Sequence, residues 1–368
     1  MNQEAICNPN RLRIARLRRL LTIKGLAEKV GMSTRLLSHY ENNNDEIRPE
    51  TLRKIANALD YPIGFFVGED IEELDENWVS FRSLSRMKAY QKNAALSAGS
   101  IAILLNGYIE KHFKLRDSDL PNYEGIEPEA AATALREKWG MGTQSVSNMI
   151  HWLELKGIRV FSLAERNKEV NAYSFWKGET PYIFLNTFKS AESSRFDCAH
   201  ELAHLVLHLK HGPRGREAEI EADKFASAFL MPKGSVLAHA PKFANIPDLI
   251  KLKKMWNVSL AALVRRLKDL EIITEWQYRS LNIDMSSSGM HKNEPDEIER
   301  ETSQILAKVF HTLRERGITK REVAKELCLP EKEIDDLVFG LAFIGLTIEG
   351  SGYRSHNSAV KPFLRLVE

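Results

Sequence analysis

The chain has 368 residues, 43% hydrophobic and 28% charged, with a formal net charge of +2; it is long enough for two or three domains of ordinary globular composition. No run approaches the ~18 apolar residues of a membrane span, and the first residues, MNQEAICNPNRLRIARLRR, lack the apolar core of a secretory signal. Cys7, Cys198 and Cys328 form no CxxC pair, so a membrane-spanning or disulfide-built protein is excluded and a cytoplasmic location is expected.

Charge is unevenly spread. Residues 1–40 carry eight Lys/Arg against two Glu, and residues 11–24 hold six basic groups and no acid. A basic run alone reads as a solvated helix face, but this one lies within a helical arrangement over 10–67. Leu12, Ile14, Leu17, Leu20 and Leu21 give the first helix an apolar stripe. Residues 25–30 form a second, stopped by Gly31; Ser33 caps a third over 33–43; Pro49 opens a fourth over 49–60, with Leu52, Ile55, Ala56 and Leu59 inward. The second and third have helix-turn-helix spacing: Ala27 is small at the crossing, Gly31 permits the turn, and Leu37 locks the third helix into the core. Thr34, Arg35, Ser38 and His39 are left on its outer face.

This segment resembles the Cro/C1-type (XRE) repressor family. The resemblance implies that the third helix enters the major groove of double-stranded operator DNA. Thr34, Arg35, Ser38 and His39 are then the candidate reading face, and Arg16, Arg18, Arg19 and Lys24 the candidate phosphate contacts. XRE domains read paired half-sites, so a homodimer is expected by the same analogy.

An acidic stretch, GEDIEELDE (68–76), leads to SFRSLSRM (80–87) and a helical run to residue 113 with Ile101, Leu104, Leu105 and Tyr108 on one face. Helices are predicted over 127–141 and 145–157. The period then changes: residues 157–164, 171–178 and 181–187 are rich in β-branched and aromatic side chains and predict three strands. A free edge of such a sheet beside a catalytic helix can take an extended peptide as an additional strand.

CAHELAHLVLH (198–208) holds the chemistry. His200 and His204 are spaced i, i+4, which on a helix puts both imidazoles on one face, about 6 Å apart and able to share one ion. Glu201 follows the first histidine, where zinc hydrolases place the carboxylate that takes a proton from the attacking water. A third ligand is needed. Lys210 stands where the HExxHxxGxxH pattern has its third histidine, which excludes that class. The next helix, EAEIEADKFASAFLMP (217–232), offers Glu217, Glu219 and Glu221. Glu219 shares the face of Ala222 and Ala226, whereas Glu221 points about 100° away from Ala222 and about 160° away from Glu219. Glu219 is the candidate third ligand, Glu221 the alternative, and Asp223 a carboxylate placed to fix a ligand imidazole. His208 continues the i, i+4 series as a surface or supporting histidine rather than a fourth ligand. Cys198 reads as a buried thiol. Tyr173, Tyr182 and His211 could stabilise an oxyanion, but nothing selects one of them.

RFDCAHELAHLVLH followed by IEADKFASAFLMP resembles the ImmA/IrrE metallopeptidase family over roughly residues 150–260, through HExxH and then E-x-x-A-N/D-x-F-A-x-x-L-M-P. Residues 80–87 and the strands look like the versions of this family fused to an XRE domain. The resemblance implies a gluzincin-like Zn2+ site with His200, His204 and Glu219 as ligands and Glu201 as base. It also implies cleavage of a DNA-binding repressor, the chain itself or an XRE-type partner, under stress or phage attack.

Residues 286–298 are polar and turn-rich, a predicted linker. Beyond them 319–341 again has helix-turn-helix spacing, through Ala324, Cys328 and Ile334. Its would-be recognition helix carries Glu331, Glu333, Asp335 and Asp336, however, which a phosphate backbone repels. A C-terminal hairpin is expected near 346–355.

The expected fold is mainly α with a small β-sheet (α+β). It has an XRE-type helix-turn-helix bundle at 1–70, a helical connector at 71–126, a gluzincin-like peptidase domain at 127–285, a linker at 286–298, and a helical, winged-helix-like interaction module at 299–368. The functional expectation is a DNA-binding regulator with a zinc endopeptidase. The alternatives are a non-cleaving zinc-containing sensor-repressor and an antitoxin-like partner protein.

Overall fold

The structure is a computed structural model that describes residues 5–43, 46–75, 79–81, 88–163, 172–209, 215–342 and 365–366. Over these residues the fold is mainly helical with one small central sheet, an α+β arrangement. Among them no helix is long and apolar enough to cross a membrane.

The chain begins with β1 (Ala5–Ile6), α1 (Pro9–Arg18), α2 (Ile23–Val30), α3 (Thr34–Asn42), β2 (Glu46–Ile47) and α4 (Pro49–Leu59). Asn8, Thr22 and Ser33 cap the first three helices, each accepting from the backbone N–H three residues on. Gly31 ends α2 at φ 70°, the left-handed turn that glycine adopts without strain. Leu12, Leu26, Leu37, Ile55 and Leu59 are fully buried and form the bundle core with Phe65 and Phe66. The expected apolar stripe of the first helix is too long: α1 stops at Arg18, and Leu20, at φ 58°, is 45% exposed. Arg16 lies inside the bundle, where its Nε and Nη2 donate to the two carboxylate oxygens of Glu41 at 2.5 and 2.8 Å and tie α1 to α3.

The connector contributes β3 (Ser80–Phe81), α5 (Ala89–His112) and β4 (Phe113–Lys114). α5 is rich in Ala, Gly and Ser between 94 and 102 and buried over much of its surface, with α1 and β5 (Arg159–Leu163) both packed against it. Gly99 marks the closest approach: a Cβ there would lie 2.4 Å from Leu74 Cδ1 and 2.9 Å from the Tyr173 hydroxyl.

α6 (Pro128–Lys138) and α7 (Met149–Leu155) precede β5, β6 (Ala172–Lys177) and β7 (Thr180–Asn186). The sheet order is β3-β6-β7-β5, with β5 parallel to β7 and the other pairs antiparallel. The three strands expected from the sequence are present. The fourth comes from the connector: Ser80 lies opposite Ser174 and Phe81 opposite Tyr173. At those positions the edge expected to be free is paired with the chain's own strand.

α8 (Ala191–Leu207) and α9 (Arg216–Leu230) pack on each other and α8 lies against the sheet; α10 (Lys233–His239), α11 (Ile246–Lys253), α12 (Leu260–Asp269) and α13 (Glu275–Ser287) follow. The stretch expected as a linker is pinned down. Glu294 accepts from the Leu260 N–H at 2.7 Å and pairs with Lys253 at 3.0 Å, the Ile298 N–H donates to Glu192 at 3.0 Å, and Glu301 binds Arg195 and the Met149 N–H.

α14 (Gln304–Glu315), α15 (Lys320–Glu326) and α16 (Glu331–Val338) form the C-terminal helices, and β8 (Arg365–Leu366) pairs with β4. The hairpin expected near 346–355 lies outside the described residues. The acidic α16 lies against the basic α1. Glu333, 1% exposed, accepts from Arg18 Nε at 2.9 Å, Arg19 Nη1 at 2.5 Å and the Tyr61 hydroxyl at 2.9 Å. Arg18 Nη2 also lies 3.6 Å from Asp336. Arg18 and Arg19, expected on DNA phosphates, are thus engaged within the protein. Burial works against the Glu333 charge, but the two guanidinium groups hold its carboxyl below the usual range.

Glu333→Ala strands two guanidinium groups and is expected to cost roughly 3–5 kcal/mol of unfolding free energy at pH 7, read from urea melts. Because the folded-state pKa is depressed, the contribution is present above the unfolded carboxyl's pKa of about 4.3 and is lost as pH falls through the lower folded value. The gap between wild type and variant should therefore close in acid.

Candidate metal centre and nucleic-acid interface

Ser190 starts α8 by accepting from the Ser193 N–H, and the helix runs buried from Asp197 to Leu207. His200 and His204 sit one turn apart on the side that α9 crosses. Ala222, Phe225, Ala226 and Phe229 form the buried stripe of α9. Glu219 lies one turn before it and meets both imidazoles: its carboxylate oxygens are 3.3 Å from His200 Nε2 and 3.4 Å from His204 Nε2, and the two Nε2 atoms are 3.2 Å apart. Asp223 Oδ1 lies 2.8 Å from His200 Nδ1 and takes its proton as acceptor. The alternative ligand, Glu221, is elsewhere, with Oε2 at 3.0 Å from His208 Nε2.

These distances fit a small tetrahedral ion. Donors about 2.0–2.1 Å from zinc lie about 3.3 Å from one another, close to the 3.2 Å between the two nitrogens and the 3.3 and 3.4 Å from each nitrogen to its nearer Glu219 oxygen. Among the described residues His200, His204 and Glu219 form a group of potential ligands whose donor atoms all lie within 4.8 Å of one another.

Burial pushes His204 down to about 4, and the charges on His200 and His208 add to this against the pull of Glu219. Burial raises the Glu219 carboxyl, but the two imidazoles beside it bring it down to about 2. The nest is therefore electron-rich, with neutral imidazole favoured at His204 and a carboxylate at Glu219.

Glu201 is fully buried. Its Oε2 accepts from the Ser174 hydroxyl at 2.7 Å, while Oε1 is buried with no hydrogen-bond partner among the described residues. Burial pushes its pKa up to about 8, opposed by the His200 charge and the Ser174 hydrogen bond. Ser174 was not foreseen; the only trace in sequence is a serine inside an aromatic strand. Cys198 is buried, and burial first, then neighbouring carboxylates, push its thiol well above its usual value. The Tyr173 and Tyr182 hydroxyls are spent on Ala95 O and Asn106, on the α5 side of the sheet. His211 lies outside the described residues.

On α3, Thr34, Arg35 and His39 are exposed and Ser38 is half-buried. Arg35, Ser38 and His39 line an open cleft with Ser33, Leu36, Asn42 and Asn43. Lys24 is exposed beside Glu28. Of the four basic residues expected on phosphates, only Lys24 is turned outward; Arg16, Arg18 and Arg19 are committed to Glu41 and Glu333.

Residues 12–66 match the family described as Helix-turn-helix, and residues 153–268 match the peptidase family described as IrrE N-terminal-like domain. No curated protein matches the chain.

Glu219→Gln and His204→Ala should each lower metal affinity by more than the roughly 10–100-fold that loss of an orienting partner costs, measured by chelator competition on the purified chain. Glu221→Gln should cost less than either. If Glu221→Gln is the variant that empties the site, the ligand set is wrong.

Proposed function

We propose that this fusion of an XRE-type helix-turn-helix domain with an IrrE-type metallopeptidase domain is a cytoplasmic transcriptional regulator with a zinc endopeptidase centre. It binds double-stranded operator DNA as a homodimer through the outer face of α3. It cleaves a repressor, its own chain or a partner with an XRE-type domain, in response to stress or phage. Residues 1–70 serve DNA binding, 127–285 the peptidase, and 299–368 internal docking. The observation that carries this reading is the convergence of three ligand atoms next to a buried glutamate that keeps one oxygen unpartnered.

His200, His204 and Glu219 hold the ion, and Asp223 fixes the His200 ring. A bound zinc supplies Lewis acidity toward a peptide carbonyl and toward water. Glu201 takes the proton of the attacking water on Oε1 while Ser174 holds Oε2 in place, then returns the proton to the departing amide nitrogen. Burial keeps the proton affinity of this carboxylate high, and a nearby cation draws it back toward the neutral range.

One observation favours a second reading. Ser80–Phe81 pairs with β6 beside Ser174, and a foreign peptide cannot add to that stretch of edge while the strand is in place. A centre closed in this way suits a zinc-containing sensor that alters DNA affinity without cutting.

Glu201→Gln separates the two. For a peptidase, cleavage of the repressor should fall by roughly 10²–10⁴, with metal content and DNA binding retained. Intact induction in cells by this variant, with metal still bound, selects the sensor.

The DNA face makes its own expectation. Arg35→Ala should change which duplex is preferred, whereas Lys24→Ala should weaken all duplexes about equally and lower the salt slope by about one unit. Arg18→Ala should leave the slope unchanged; a fall would place α1 on phosphate.

A further inference from the structure

His208 is the C-cap of α8, with φ −121° and ψ 51°, and its N–H donates to His204 O. Its side chain is only 6% exposed. Its Nδ1 lies 2.8 Å from His204 Nδ1, and its Nε2 lies 3.0 Å from Glu221 Oε2. The two His208 contacts each need one proton and one lone pair. With the Glu221 carboxylate oxygen as acceptor, the His208 proton of that contact sits on Nε2, and Nδ1 presents the lone pair to His204. His204 must then carry its own proton on Nδ1, which leaves a lone pair on Nε2. That is the atom 3.2 Å from His200 Nε2 and 3.4 Å from Glu219. On the other ring Asp223 accepts directly from His200 Nδ1 and leaves that Nε2 bare in the same way. Two bare nitrogens and a carboxylate facing one another repel unless a cation lies among them.

We propose that His208 and Glu221 are positioning residues of the metal centre: a relay in which Glu221 sets the tautomer of His208, and His208 sets the tautomer and ring orientation of His204. The inference rests on the metal-centre reading above. The two ligand histidines thereby receive unequal support. His200 leans on a carboxylate directly, and His204 leans on one through an intervening imidazole. Both nitrogens of His208 are spent in this relay, which closes the fourth-ligand role to it. The same relay gives Glu221 a use two residues from the ligand Glu219, on a different flank of α9.

The test uses the purified full chain with Zn2+ and Co2+ as probes, read by chelator competition, by the Co2+ visible spectrum, and by the melting temperature with and without metal. His208→Phe fills the space but cannot accept from His204. It should weaken Zn2+ binding by roughly 10–100-fold and alter the Co2+ bands, with the metal-free melting temperature unchanged. His208→Asn keeps an acceptor near the Nδ1 position and should recover most of the affinity. Glu221→Ala touches only the outer end and should cost several-fold; it decides the matter if His208→Phe does not fold. Wild-type affinity in both His208→Phe and Glu221→Ala, alongside a large loss in His204→Ala, overturns the relay while the metal centre stands. A loss in His208→Phe equal to that in His204→Ala, with a Co2+ spectrum showing one nitrogen ligand fewer, makes His208 a ligand and also overturns it. No metal binding by the wild type removes the centre itself and the relay with it.

Discussion

Glu219 reaches two imidazoles because α9 packs directly onto α8, and small side chains permit that approach. Ala199 and Ala203 on α8 and Ala222 and Ala226 on α9 are all fully buried. A larger residue at any of these buried positions would force strained rotamers or backbone shifts, and a carboxylate has little slack over a gap of 3.3 Å. The candidate ligands thus come from two packed helices, and their spacing is set by apolar packing. The polar partners refine it: Asp223 holds one ring, Ser174 holds Glu201, and both belong to elements that the core already fixes.

Two oddities of the sequence account for each other at the opposite face. The first helix is too basic for a simple bundle helix, and the last helix-turn-helix is too acidic to approach DNA. Glu333 and Asp336 meet Arg18 and Arg19 across 314 to 318 positions of chain. The acidic helix answers the basic one, and α3 keeps Thr34, Arg35 and His39 exposed.

The part of this that was legible in the sequence is the local part. The HExxH spacing, the capping residue Ser33, the buried stripe of α9 and the choice of Glu219 over Glu221 as the nearer carboxylate all follow from local helix signals. What escaped is what only tertiary approach creates. Ser80–Phe81 is too short to show an alternating pattern, and it becomes a strand because β6 offers it an edge. Ser174 has no motif around it. Arg18 and Arg19 look like any solvated cations until Glu333 is brought beside them, and Arg16 looks the same until Glu41 is. The stretch at 286–298 has a linker's composition, yet its carboxylates and backbone groups find buried partners on α8, α11 and α12.

That pinned stretch changes what a single break in the chain can do. Glu301 grips Arg195 on the helix that carries His200, the following helices end with α16 clasped on α1, and α1 itself packs on α5. The polypeptide is in effect a ring closed by non-covalent clasps. A break in the chain between the bundle and α5 would open the ring without parting it, because α5 and Glu333 would still hold the bundle. Breaking the chain and freeing the bundle would therefore be separate events in this architecture, since dissociation waits for the charged clasp to let go.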